Sequence, residues 1–360
     1  MKTHNRLYIP GPVEVSEKTF EAFCQPMIGH RSAAFQELYA SVQPKLQQVF
    51  HTRNPVFVST SSAWGVMEAA IRNLTRPGRK VLCCMNGAFS DKWYDVAVRN
   101  GLSAEKVQVE WGQPILPEQV EAKLKQGDFD VVTMIHNETS TGVMSPVAEI
   151  AKVVRAHPET LFVVDAVSSM TGVRINMDAM DLDVLLCGVQ KAFALPPGLA
   201  LFAVSKRALE RAKQVPNRGY YFDFLEFLKN HESNMTPSTP SVSHIYALQS
   251  KLDEMLAEGL DARYERHRIM AEMVRSWACE LGFGLFPRKG YESLTLTCAA
   301  NTRNEDIPAW IKRLRETYHC VFDGGYGKLK GKTFRIAHMG DETPESIRLL
   351  LGWLNDTLSK

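Results

Sequence analysis

Seven short apolar runs, most of them separated by segments long enough to form a helix, constrain this chain more than any other feature. They are Val56–Thr60, Lys80–Met85, Val107–Val109, Val131–His136, Leu161–Asp165, Val184–Cys187 and Leu199–Val204. Between them lie helix-like segments such as Ala63–Leu74, Phe89–Asn100, Pro117–Lys125 and Pro146–His157. A strand followed by a helix-length crossover pairs in parallel with the next. The pattern therefore predicts an α/β fold with a mostly parallel seven-stranded sheet between helices.

From Tyr246 the rhythm changes to long helical stretches. In Leu260–Leu281 the residues Ile269, Met273, Trp277 and Leu281 recur every four positions, which predicts a core-facing stripe. Two alternating runs, Leu294–Cys298 and Thr333–Ala337, flank a helical segment, Asn304–Thr317. The last helix opens at Thr343-Pro344 and carries Ile347, Leu350, Leu351 and Leu354 on one face. A large domain over residues 13–255 is expected. Residues 1–12 and 256–360 are expected to form a smaller α+β domain that completes a substrate site.

Charge excludes some function classes. With 42 basic against 40 acidic residues, a net charge of +2 and no long run of one sign, nothing calls for a nucleic-acid groove or a membrane surface. The segment Met1–Arg6 leads into Leu-Tyr-Ile and then Pro-Gly-Pro rather than a secretory apolar core, so a cytoplasmic protein is expected. Seven scattered cysteines without a CxxC pair imply reduced thiols, without a metal site or a disulfide framework.

Ligands of open parallel sheets bind at the carboxyl ends of the strands, and four such ends here carry chemistry. Asp165 closes the run Leu161–Val164 and can hold a heteroaromatic nitrogen protonated; the plainer reading is a loop cap. Lys191 follows the run Val184–Cys187 and precedes Phe193, Leu195, two prolines and a glycine; desolvated there, its amine can act as a nucleophile and then carry a proton. Its plainer reading is a surface lysine on a turn. Ser62, Ala63 and Trp64 open a helix whose amides suit a phosphate, unless Ser62 is an ordinary N-cap. Phe89 can cover a flat ring or simply pack. An aldehyde for a lysine, a ring nitrogen for a carboxylate, a phosphate for a helix end and a face for an aromatic together point to pyridoxal 5'-phosphate.

The segments Asp165–Ser169, Gly188–Ala192, Pro196–Gly198, His136–Gly142 and Phe334–Ile336 resemble the class V aminotransferases of pyridoxal-phosphate fold type I. Within them the chain is most similar to the alanine–glyoxylate and serine–glyoxylate (serine–pyruvate) enzymes. The resemblance covers nearly the whole chain. It implies that Lys191 bonds the cofactor aldehyde and later moves the proton at the substrate α-carbon, and that Asp165 holds the pyridine nitrogen. It further implies that Ser62, Ala63, Trp64 and Gln190 cup the phosphate and that Thr139 lies near the ring, between Val167 and Phe89. Gly11 and Arg335 correspond to substrate-binding positions, Arg335 as the fork for the α-carboxylate. Ser238 and Thr239 correspond to a segment that reaches the phosphate from a neighbouring subunit, which implies a homodimer with a shared active site. The chain departs from the alanine–glyoxylate pattern at Phe89, usually Trp, and at Ala63-Trp64, usually Gly-His.

Three other readings compete. Gly29-His30-Arg31-Ser32 resembles the segment with which phosphoserine aminotransferases contact a substrate phosphate. Cys320, after His319 and shortly before Arg335, is placed like the nucleophile of cysteine desulfurases, although Cys320-Val321-Phe322 reads as a buried strand. A non-catalytic binding subunit is the third, and the presence of Lys191, Asp165 and Arg335 together argues against it. The expected activity is transfer of an amino group from alanine or serine to glyoxylate or pyruvate.

Overall fold

The computed structural model describes residues 4–358; the outermost residues of the expected small domain, 1–3 and 359–360, lie outside that range. Its centre is a sheet of β1 (Val56–Ser59), β2 (Lys80–Met85), β3 (Ser103–Gln108), β4 (Phe129–Ile135), β5 (Leu161–Asp165), β6 (Val184–Gly188) and β7 (Ala200–Val204). They are ordered β1-β7-β6-β5-β4-β2-β3. Every neighbouring pair is parallel except the two made by β7. The connection from β6 to β7, residues 189–199, contains no helix, so the chain turns straight back and pairs antiparallel. Lys191 sits in that connection.

Residues alternate along each strand between two apolar cores. Leu82, Phe162, Val164, Leu185 and Leu201 face one, while Val81, Leu161, Val163, Leu186 and Phe202 face the other. Because helices cover both faces, the central strands read as continuous apolar runs. The edge strand β3 is the exception. It begins at Ser103 rather than Val107, and its Ser-Ala-Glu-Lys start is polar because one side meets water, with Glu105 paired to Lys80 across the ladder at 2.8 Å.

A second sheet is antiparallel, in the order Gly284–Leu285, Leu296–Ala300, Thr333–Ala337, Asp323–Gly324. Helices Leu260–Glu280, Ile307–Tyr318 and Pro344–Thr357 share its core, centred on Trp310, Phe283 and Phe334. Tyr8 joins that core because Arg6–Leu7 pairs with Cys320–Val321. The last helix is capped as its sequence predicts, Thr343 Oγ1 accepting from Ser346 N.

Three residues of the stripe predicted on Leu260–Leu281 meet the core: Trp277 lies in it, and Met273 and Leu281 pack against it. Ile269 is the exception at 36% exposed, and the fully buried face runs through Met270, Val274 and Ala278. A strict four-residue step drifts about 40° per repeat around a helix of 3.6 residues per turn, which carries Ile269, at one end of the stripe, off that face. Between the two sheets, Val13, Ala192, Ala194, Leu296, Cys298, Ala337 and Met339 pack the Lys191 connection against the second sheet.

Candidate active site

Strand ends at the carboxyl edge converge on one cavity. β1 leads through Thr60–Ser62 into helix Ala63–Leu74, β2 through Asn86-Gly87 into helix Ala88–Arg99, and β4, β5 and β6 deliver Thr139, Asp165 and Lys191. Ser62, Ala63, Trp64, Phe89, Thr139, Asp165, Val167, Gln190 and Lys191 all line this cavity, joined by Met67, Ile135, Asn137 and Ser168, which the sequence reading did not single out.

Lys191 is only 9% exposed, and among the described residues its amine has no hydrogen bond or ion pair. Burial above all, with the positive charge of Arg335, lowers its pKa to about 8, while Asp165 and Glu138 pull the other way. Gly11 passes directly over it. Its φ of +112° is a conformation for glycine, and a Cβ there would stand 2.8 Å from Lys191 Cδ.

Asp165 is 4% exposed, and its Oδ1 accepts from Val167 N at 2.6 Å. Burial raises its pKa to about 7 despite that bond and the nearby Lys191. A cationic ring nitrogen beside the carboxyl would reverse the shift. Asn137 donates to Ser168 O and Thr295 Oγ1, while its buried Oδ1 on the cavity wall has no partner among the described residues. His136, next along the β4 end, is held near pKa 4 by burial and bonds Ser169 Oγ at 2.9 Å, which makes it a neutral structural group.

The plainer reading of Ser62 fails. It occupies the N-cap of Ala63–Leu74 but makes no side-chain capping bond, so its hydroxyl stays available at a helix end already suited to an anion.

Arg335 comes from the second sheet. It is 3% exposed, donates from Nη1 to Thr139 O at 3.1 Å and from Nε to Gly324 O at 3.2 Å, and pairs with Asp323. Tyr326 bridges it to the cavity, its ring 5.5 Å from the guanidinium carbon and stacked on Phe89 at 5.3 Å. A single layer thus runs from Phe89 through Tyr326 to Arg335.

Glu138 is a further residue of the site that its sequence does not single out. Fully buried, it accepts from Ser90 N at 3.0 Å, Phe89 N at 3.4 Å and Ser140 Oγ at 2.6 Å, capping the helix that carries Phe89. Its signal was a glutamate inside His136–Gly142, but the helix it caps lies 48 residues back in the chain at Ser90. Glu138→Gln turns an amide donor toward some of these N–H groups and is expected to lower stability by about 2 kcal/mol, read from the urea midpoint of unfolding.

Other predicted residues lie apart from the cavity within this chain. Thr239 Oγ1 meets His30 Nε2 at 3.4 Å, and Ser238 O accepts from Thr236 Oγ1 at 2.8 Å. Arg31 holds the same segment by its contacts with Thr236 O and Pro237 O. Cys320 is buried beside Trp310 in the second core, its thiol pushed up to about 11 by burial, and it does not line the cavity.

Known proteins are similar to this chain over most of its length. An L-aspartate–glyoxylate aminotransferase of Paracoccus denitrificans is 34% identical over 350 residues, 95% of this chain and 88% of its own. A serine–glyoxylate aminotransferase of Methylorubrum extorquens is 32% identical over 349 residues, 94% of this chain and 87% of its own. The solved structure of an alanine–glyoxylate aminotransferase from Nostoc sp. superposes with a TM-score of 0.92 at 29% identity, covering 99% of this chain and 96% of that one. The family model for class-V aminotransferases matches residues 17–281. With the strand-end cavity and Lys191 at its centre, this match makes the chain a member of the class-V aminotransferase family.

Proposed function

We propose that the chain is a pyridoxal-5'-phosphate-dependent transaminase that moves the amino group of a small amino acid, alanine or serine, to glyoxylate or pyruvate by a ping-pong mechanism. One observation carries the reading: a buried lysine with a lowered pKa and, among the described residues, no hydrogen-bonding partner shares a cavity with a buried carboxyl, an uncapped helix N-terminus and an aromatic ring. The residues fit the cofactor. Asp165 would hold its ring nitrogen, Val167 and Phe89 would cover its two faces, Thr139 and Asn137 would border its edge, and Ser62, Ala63, Trp64 and Gln190 would hold its phosphate. When bound, pyridoxal phosphate supplies an aldehyde for a primary amine and a protonated ring that takes up the electrons left when the α-proton departs.

The protein's own groups do the remaining work. Lys191 takes the substrate's α-proton and returns it, with a pKa close to the working pH. Gly11 leaves room for the lysine's swing, and Arg335 fixes the α-carboxylate by its planar donors. The acid product leaves before the acceptor acid enters the same site.

Residues 13–255 act as the cofactor domain, and 1–12 with 256–360 as the domain that brings Arg335 in. Two chains form the working unit, with Ser238 and Thr239 completing the phosphate cup of the neighbouring subunit. Among the described residues no helix is long and apolar enough to cross a membrane, and all seven cysteines are free, which supports a cytoplasmic setting.

A panel of amino donors against glyoxylate, pyruvate and 2-oxoglutarate tests the substrate class. Alanine or serine with glyoxylate or pyruvate is expected to give the highest kcat/KM. Dominance of O-phosphoserine would assign the site to phosphoserine transamination instead, with His30 and Arg31 as its phosphate contacts.

A further inference from the structure

Arg335 and Asp323 stand directly opposite each other in the ladder that joins Asp323–Gly324 to Thr333–Ala337. Their side chains form an ion pair through Nη2, and Nε donates to Gly324 O at 3.2 Å. Nε and Nη2 lie on one edge of the guanidinium, so this chain already occupies donors on one of the two edges with which an arginine grips a carboxylate. Nη1 in turn donates to Thr139 O. Exposure divides the pair unevenly: the Arg335 side chain is 4% exposed, that of Asp323 45%.

We propose that Asp323 sets the enzyme's affinity for its substrates, as a resident carboxylate that competes with the substrate's own for Arg335. The proposal rests on the reading of Arg335 as the carboxylate site. An arriving acid must either displace Asp323 from Nη2 or bind beside it and meet a pair of zero net charge. Both outcomes weaken binding relative to a bare guanidinium. The ladder fixes both backbones, so Asp323 can rotate aside but stays within reach to recapture the arginine.

Such competition suits a two-stage exchange in which one acid must vacate the site before the next arrives. Binding the ground state more tightly would slow release without stabilising the transition state further. It also keeps a buried cation paired when no substrate is present.

Calorimetric titration of the cofactor-loaded protein with propionate, a monocarboxylate without an amino or oxo group, tests the proposal. Asp323→Asn and Asp323→Ala are each expected to tighten propionate binding about two- to fivefold, the range of a partly exposed ion pair. KM for donor and acceptor is expected to fall in parallel. Arg335→Lys is expected to weaken binding about tenfold or more, since a point charge cannot reproduce the fork. Unchanged or weaker propionate binding in both Asp323 variants overturns the proposal and makes Asp323 a support for Arg335. Unchanged binding in Arg335→Lys instead removes Arg335 as the carboxylate site, and with it the ground on which the competition stands.

Discussion

Lys191→Ala is expected to lower turnover by about 10,000-fold or more. Lys191 is the one amine among the residues lining the cavity, so no neighbour can take over its proton transfer. Positioned general acid–base catalysis alone contributes about 100- to 10,000-fold, and loss of the covalent amine adds to it. The variant is expected to fold, because Lys191 has no hydrogen bond or ion pair among the described residues, and its removal relieves a buried group. Borohydride reduction of the loaded wild-type protein, followed by peptide mapping, is expected to leave the cofactor's mass on the peptide containing Lys191. The variant is expected to show none there. Millimolar methylamine is expected to restore part of the turnover, since a small amine can enter the space the side chain leaves. Retention of about a tenth of wild-type turnover would show that another group moves the proton.

Much of this was legible along the chain because burial on both sheet faces forces an unbroken apolar run, and a charged residue that ends such a run stands out. Asp165 and Lys191 were readable for that reason. Strand β3 was half hidden because an edge strand faces water and its sequence looks like a loop. Residues whose partners come from far along the chain were harder. Glu138 caps a helix from a different strand crossover, and Asp323 meets Arg335 only through the register of an antiparallel ladder. Tyr326 sits in the glycine-rich stretch 324–328, far along the chain from Phe89, yet its ring connects Phe89 to Arg335. The stripe that ran from Ile269 to Leu281 held except at Ile269, for another reason. A regular spacing in sequence is not a face of the helix unless it follows the turn.

Asp165→Asn is expected to cost about 100- to 1,000-fold in turnover while stabilising the cofactor-free protein at neutral pH, a pairing that separates its chemical role from its structural one. On the proposed function the activity loss follows from the negative charge that Asp165 would offer a ring nitrogen; removing an opposite charge at close range in such a site is worth roughly 3–4 kcal/mol in the barrier. The stability effect has the opposite sign. Burial raises the folded-state pKa of Asp165 to about 7 from an ordinary 3.8, so the folded protein prefers the neutral acid. That preference is fully present below about pH 4 and is lost as pH rises through 7, where the unfolded chain holds an ionised, hydrated carboxylate and the folded one must bury it. Asparagine does not titrate. Unfolding of the cofactor-free wild type and the variant in urea should therefore show the stability difference shifting toward the variant by up to about 4 kcal/mol between pH 4 and pH 7.5. Lys191, lowered to about 8 from 10.5, titrates in both proteins and largely cancels in the comparison. Adding pyridoxal phosphate at pH 7.5 is expected to stabilise the wild type more than the variant, because only the wild type offers a carboxylate to a protonated ring nitrogen. A difference that stays flat across this pH range would mean that Asp165 is solvated in the free protein, and its selectivity for a protonated ring would then need another source.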